Sequence, residues 1–159
     1  MPKSSQPQLS HFDKGGQASM VDVSGKQPSK RTATASAFVE LSAAVLAALP
    51  ANPKGNPLEV ARIAGIQAAK RTSDLIPMCH PLPLTHVDVQ TEVMTEGVRI
   101  TATAATTGAT GVEMEALTAA ATAALTVYDM CKAAERGIRI TDLRVVHKTG
   151  GKSGDFEGE

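Results

Sequence analysis

Hydrophobic and polar residues follow two different periods along this chain, and the changes of period divide it into strands and helices. Residues 20–24 and 31–37 are predicted to be short strands. After a loop at residues 52–55, a helix is predicted to run to about Arg71. Between residue 37 and this loop, apolar residues at helical spacing predict another helix, which Pro50 ends. These residues are Phe38, Leu41, Val45 and Leu49.

Two of the predicted helices begin with a capping pattern. Asn56 can accept hydrogen bonds from the first free backbone N–H groups, and Glu59 follows where a capping box requires an acid. Residues 110–113 (TGVE) repeat this pattern at the start of a long helix. That helix is predicted to run to about Arg136 and to stop at Gly137.

The remaining segments favour β structure. Three prolines within residues 77–83 exclude a regular helix and a central strand at that point. Strict alternation of apolar and polar residues predicts a hairpin over residues 87–104. A last strand is predicted at residues 138–148, where a slip of apolar parity between Ile140 and Leu143 indicates a bulge. The predicted fold is α+β and ferredoxin-like, with helices on one face of a mainly antiparallel sheet.

The two ends of the chain differ in composition from its middle. Residues 1–19 and 149–159 are rich in Ser, Gln, Gly and other small or polar residues, with few apolar ones. Such segments cannot bury enough apolar surface to order themselves, so both are predicted to be flexible arms. Nothing else resembles a linker or a repeat, and we predict a single domain over residues 1–159.

Composition limits the functions that are open to the chain. Its 16 basic residues balance 16 acidic ones, which argues against general nucleic-acid binding. Only 3% of the residues are aromatic and none is Trp, so the core must consist of Ala, Val, Ile, Leu and Met. Because alanine buries little area, we expect further apolar burial between subunits.

The sequence predicts a cytoplasmic protein that does not enter a membrane. Residues 1–16 lack an apolar signal-peptide core, and the longest apolar run, residues 43–49, is too short to span a bilayer. The cysteines, Cys79 and Cys131, form no CxxC pair, and reduced thiols are expected.

The long helix carries the first candidate for chemistry. Lys132 continues an apolar stripe at helical spacing, and Asp129 lies one turn before it. Partial desolvation would lower the pKa of this lysine, whereas a nearby carboxylate would raise it. The alternative is a structural lysine that complements the helix C-terminus. The stripe is formed by Met114, Leu117, Ala121, Leu125 and Tyr128.

Other candidates have structural alternatives of similar weight. Glu115 is either a functional acid or a first-turn residue that complements the helix dipole, while Glu113 is explained as a capping partner. His80 follows Cys79 in the rigid proline passage, but no second pair of ligands supports a metal site. His80 is therefore a hydrogen-bonding group or a structural loop residue.

Lysines beside flexible glycines suggest anion binding in two places. Lys148 and Lys152 flank a glycine pair, whose exposed amides can form an anion clamp. The alternative is a solubilising tail. Lys54 precedes a capped helix N-terminus, a favourable position for phosphate.

Several motifs together resemble the cyclic pyranopterin monophosphate synthase family, in order from about residue 11 to residue 156. The most specific are DLIPMCHP, GVEMEALTAA, YDMCKA and GGKSGDF. The resemblance implies a ferredoxin-like subunit, a homohexamer built as a trimer of dimers, and sites at the dimer interface. It implies conversion of a cyclised dihydro-GTP to cyclic pyranopterin monophosphate with release of pyrophosphate, in molybdenum cofactor biosynthesis, without a cofactor or metal.

The resemblance also assigns roles to residues of this sequence. Asp129 and Lys132 match the catalytic acid/base pair, and Lys54 matches a catalytic loop lysine. Substrate-binding positions are matched by Met78, Cys79, His80, Met114, Glu115, Lys148 and Lys152. A catalytically inactive, oligomeric nucleotide-binding module and an alanine-rich assembly protein without a ligand are the competing hypotheses.

Overall fold

The computed structural model describes residues 9–159, so the first eight residues of the predicted N-terminal arm lie outside the described residues. Five strands and four α-helices follow one another along the chain. They are β1 (Ser29–Glu40), α1 (Ala43–Ala48), α2 (Pro57–Ala69), α3 (Thr72–Leu75), β2 (Leu84–Met94), β3 (Gly97–Gly108), α4 (Glu113–Cys131), β4 (Arg139–Thr149) and β5 (Phe156–Glu157). None of the helices within residues 9–159 is long and apolar enough to cross a membrane.

All strands belong to one sheet in the order β2-β3-β1-β4-β5, and every neighbouring pair is antiparallel. Helices α2 and α4 pack against each other, and α4 contacts the two central strands β1 and β3. This order of strands and helices is ferredoxin-like, and the predicted α+β class is confirmed. The β2–β3 hairpin is confirmed too, as are Asn56 as the cap of α2 and the bulge in β4.

The core lies between the central strands and the inner face of α4. Alternate residues of β1 and β3 point towards the helices and are fully buried, because strand side chains alternate between faces. The inner face of α4 is almost entirely alanine, which lets the helix lie close to the sheet. Its buried apolar residues are Ala116, Ala119, Ala120, Ala123, Ala124, Val127 and Cys131.

Gly65 sets the distance between α2 and α4. A Cβ at this position would lie 2.8 Å from the backbone oxygen of Ala119 and 3.0 Å from Cγ2 of Val89. We expect Gly65→Ala to lower the free energy of unfolding by about 1–3 kcal/mol, because backbone must move to relieve the overlap. Urea denaturation would measure the loss, with Gly25→Ala, which meets nothing within 4 Å, as the control. An unchanged unfolding midpoint for Gly65→Ala would contradict this packing argument.

Two sequence predictions near the N-terminus are wrong. Residues 20–24 form no strand: the Asp22 side chain accepts a hydrogen bond from the Ser24 backbone, and a turn follows. Phe38 belongs to β1 rather than to a helix, because pairing of β1 with strands on both sides outweighs the local helical spacing. Helix α1 begins only after Ser42, whose hydroxyl accepts a hydrogen bond from the Val45 backbone.

Three predictions for α4 are also wrong. The residue before the helix is Val112, which makes no side-chain cap, and the Glu113 carboxylate binds Lys148 instead of closing a capping box. The helix ends at Cys131, not near Arg136. The buried face is the alanine row, and the predicted stripe is partly exposed, with Leu125 59% accessible.

Candidate active site

One pocket of about 230 Å³ contains five of the residues that the family resemblance assigned to substrate binding. They are Met78, Cys79, His80, Met114 and Glu115. The pocket lies between the N-terminal segment, the proline passage and the first turn of α4, and we call it the acidic pocket because it contains two carboxylates. Its other lining residues are His11, Val21, Val23, Lys26, Leu82, Thr110, Gly111 and Glu113.

Two hydrogen bonds, one from the middle of the proline passage and one at its end, fix the wall of this pocket. The Thr106 hydroxyl donates to the Pro83 carbonyl at 2.8 Å. His80 Nε2 lies 2.8 Å from the Val21 carbonyl, and because a carbonyl only accepts, Nε2 carries the proton. In the tautomer with the proton on Nε2, Nδ1 is able to accept a hydrogen bond.

The two glutamates of the acidic pocket have opposite electrostatic surroundings. Burial raises the pKa of Glu115, while its own backbone N–H lowers it and the charge of Glu113 raises it further. Burial is also the largest single influence on Glu113 and would raise its pKa. The hydrogen bond from Lys148 at 2.9 Å, the backbone N–H of Glu113 itself and the charges of Lys148 and Arg31 together outweigh burial, so the pKa of Glu113 is lowered. The Glu113 carboxylate folds over Gly111, where a Cβ would overlap it. A carboxyl group with a lowered pKa thus lies beside one with a raised pKa.

A pH-dependent gain in stability is expected when Glu115 is replaced by glutamine. The folded protein holds the Glu115 proton more tightly than the unfolded chain, so wild-type stability falls as the pH rises above the ordinary value of 4.5. Glu115→Gln lacks this penalty and should unfold later in urea at pH 7, by on the order of 1 kcal/mol. The two proteins should converge near pH 4, and a gain independent of pH would contradict the explanation.

A second pocket, of about 710 Å³, adjoins the first and is basic. Lys26 lines both pockets. Lys148 connects them as well, because its Nζ lies 2.9 Å from Glu113 of the acidic pocket and 3.4 Å from Ser153 of the basic one. The basic pocket is lined by Gly25, Lys26, Gln27, Ser29, Arg31, Gly151, Lys152 and Ser153.

The three residues assigned to catalysis converge at the other end of α4. Lys132 Nζ lies 2.6 Å from Asp129 Oδ1, and both side chains are more than half exposed. Their hydrogen bond raises the pKa of Lys132 and lowers that of Asp129, to which the charge of Lys54 also contributes. The attraction of the carboxylate outweighs desolvation at Lys132, so both groups are ionised at neutral pH.

Asn52 brings Lys54 to this position, a role that the sequence did not suggest. Its side-chain amide donates to the Met130 carbonyl at 3.0 Å, which ties the loop to the last turn of α4. Its side-chain oxygen accepts from the Lys54 backbone at 2.9 Å. Gly55 then adopts a φ of +98°, a conformation that glycine adopts readily.

The acidic pocket does not meet the candidate catalytic group, Asp129, Lys132 and Lys54, within one chain. Glu115 and Asp129 stand at opposite ends of α4, fourteen residues apart, which corresponds to about 21 Å along the helix axis. A lysine side chain reaches roughly a third of that distance.

Three charged residues that line these pockets were not identified by the sequence analysis. Glu113 was explained as a cap, and Lys26 and Arg31 were not singled out. Glu113 stands two residues before Glu115 within the GVEMEALTAA motif, whereas Lys26 and Arg31 lie in none of the quoted motifs, so only Glu113 had a signal there. Within residues 9–159, no group of three or more His, Cys, Asp or Glu side chains is arranged to hold a metal ion.

These features define a ferredoxin-like domain with two adjoining pockets, one acidic and one basic, together with a separate Asp–Lys pair. Residues 20–151 match the MoaC family. The cyclic pyranopterin monophosphate synthase of Deinococcus radiodurans is 53% identical over 158 residues, 98% of this chain and 94% of that relative. Its namesake from Jannaschia sp. is 57% identical over 153 residues, 94% of each chain. The chain belongs to the MoaC family.

Proposed function

We propose that this protein is a lyase of molybdenum cofactor biosynthesis, a cyclic pyranopterin monophosphate synthase. Its substrate is a cyclised dihydro-GTP, which is rearranged to cyclic pyranopterin monophosphate with release of pyrophosphate. The observation that carries the proposal is the pair of adjoining pockets, one acidic and one basic, in a chain whose relatives bear this name. The reaction takes place in the cytoplasm.

The two pockets match the two ends of such a substrate. Carboxylates such as Glu113 accept hydrogen bonds from the N–H groups of a guanine-derived ring, and His80 Nδ1 accepts another. Lys26, Arg31 and Lys152 supply positive charge for the triphosphate. Met78, Cys79 and Met114 form the less polar wall against the ring. Lys148 holds the junction between the pockets.

Proton transfer is assigned to Asp129, Lys132 and Lys54. Ring opening and reclosure require several proton transfers, which positioned side chains accelerate. In this ion pair Lys132 is protonated and Asp129 is ionised, so the ammonium has a proton to give and the carboxylate can accept one. Lys54 adds positive charge where negative charge develops as pyrophosphate leaves.

A second copy of the chain completes the site. Within one chain, the catalytic group is too far from the acidic pocket to reach a bound ring. Apolar side chains remain exposed on the outer faces of α2 and α4, with Ile63 60% and Leu125 59% accessible. Burial of such residues against another copy supports oligomerisation. We therefore propose a homohexamer, a trimer of dimers, with each site at a dimer interface.

Direct assay of the reaction tests this function. The purified protein would be incubated with the cyclised dihydro-GTP, and pyrophosphate and the pterin product would be followed by mass spectrometry. Formation of both products is expected. Tight binding without product would instead favour the inactive nucleotide-binding module, and the absence of binding would favour an assembly protein. Sedimentation gives the oligomeric state in the same preparation.

A further inference from the structure

The C-terminal residues fold back onto β4 and form a hairpin, which we call the tail hairpin: β4, the loop at residues 150–155, and β5. His147 pairs with Glu157 and Lys148 with Phe156. The backbone N–H of Gly158 then donates to the Val146 carbonyl at 2.7 Å.

The loop of the tail hairpin is part of the basic pocket. Lys152 and Ser153 line that pocket, and Gly150 packs on β1 so closely that a Cβ would overlap the Lys30 carbonyl oxygen. Gly150 and Gly151 have φ values of +89° and +85°. Glycine-rich loops have high conformational entropy, so the position of Lys152 depends on whatever closes the loop.

Within the loop, Asp155 Oδ1 accepts from the Gly150 backbone N–H at 3.2 Å and Lys148 Nζ lies 3.4 Å from Ser153 Oγ. A further side-chain contact joins the two strands beside their short ladder. His147 Nδ1 lies 2.5 Å from Glu157 Oε1, so the imidazole N–H donates to the carboxylate. His147 is 37% and Glu157 77% exposed. Exposed contacts of this kind contribute little to global stability, but here the contact ties down the strand that ends the loop.

We propose that His147 and Glu157 are positioning residues for Lys152, holding the tail hairpin so that this lysine meets the triphosphate of the substrate. The inference rests on the proposed function. With the contact intact, the loop is ordered before substrate arrives, and binding does not have to order it. Loss of the contact releases β5 and weakens binding, while the distant Asp129–Lys132 pair is left unchanged.

Steady-state kinetics of the full-length protein test this role. Glu157→Ala and His147→Phe are each expected to raise KM roughly three- to tenfold and to leave kcat unchanged. Glu157→Gln keeps a hydrogen-bond acceptor for His147, so it should raise KM much less than Glu157→Ala does. Arg139→Ala breaks another exposed pair on the same strand, with Glu40 at 3.7 Å, and should leave KM unchanged.

A double-mutant cycle with Lys152 separates positioning from a merely structural role. Lys152→Ala should raise KM when it is introduced into the wild-type protein. Introduced into Glu157→Ala, it should raise KM by a further factor of less than about two, because the lysine is already displaced. Additive effects, or a wild-type KM for Glu157→Ala, would overturn the proposal. Failure of the wild-type protein to form product would overturn the proposed function instead, so the two failures are distinguishable.

Discussion

Replacing Lys132 with alanine is expected to abolish formation of cyclic pyranopterin monophosphate and to leave the oligomer intact. General acid catalysis by a positioned side chain accounts for about 10²–10⁴-fold in rate, so turnover should fall by at least that factor. Asp129→Asn should have a comparable effect, because an amide keeps the shape of the carboxylate but cannot accept the proton. Product formation measured by mass spectrometry gives the loss.

The two substitutions should leave folding nearly unchanged. Lys132 and Asp129 are 56% and 61% exposed, and surface pairs contribute little to stability. Thermal unfolding and sedimentation should therefore match the wild type. Glu59→Gln is a matched control, because Glu59 forms the same i,i+3 type of pair with Arg62 on α2, at 3.3 Å. Near-normal turnover of either variant would refute the acid/base role.

The spacing of Asp129 and Lys132 made their pairing predictable from sequence. The direction in which the pKa of Lys132 shifts follows only from the three-dimensional structure. Residues three apart on a helix are neighbours, and the 2.6 Å contact follows from that rule. Burial lowers the pKa of Lys132 and the carboxylate raises it. Which of the two effects is larger depends on solvent access, which the helix alone does not determine. The approach of Lys54 depends on the hydrogen bonds of Asn52, a contact between segments far apart in sequence.

Sequence patterns were most reliable where one local rule acted alone. The cap at Asn56 and the β2–β3 hairpin follow from neighbouring residues and were predicted. The inner face of α4 was not predicted correctly. A hydropathy pattern assigns large side chains such as Leu125 to the buried face, whereas close packing on the sheet selects alanine. The capping pattern at residues 110–113 failed since Lys148, distant in sequence, binds Glu113 more strongly.

Mixing two inactive variants is expected to restore activity if each site is shared between subunits. His80→Ala damages the acidic pocket, and Asp129→Asn damages the catalytic group at the other end of α4. In a random mixture, half of the dimers contain one chain of each kind. Each mixed dimer has one site with both parts intact, so about a quarter of wild-type activity should return.

The experiment requires the variants to exchange subunits, which co-expression with two different affinity tags and tandem purification ensure. Tandem purification keeps the hexamers that contain both kinds of chain. About half of the dimers in these hexamers are mixed, so roughly a quarter of the wild-type rate per chain is expected. Each variant purified alone gives the baseline, and Glu59→Gln mixed with Asp129→Asn shows the effect of one damaged chain per dimer. Recovery requires that the chain supplying the acidic pocket differs from the chain supplying Asp129. Mixed dimers as inactive as Asp129→Asn alone would mean that one chain supplies both parts, which would require α4 or the proline passage to move by about the length of the helix.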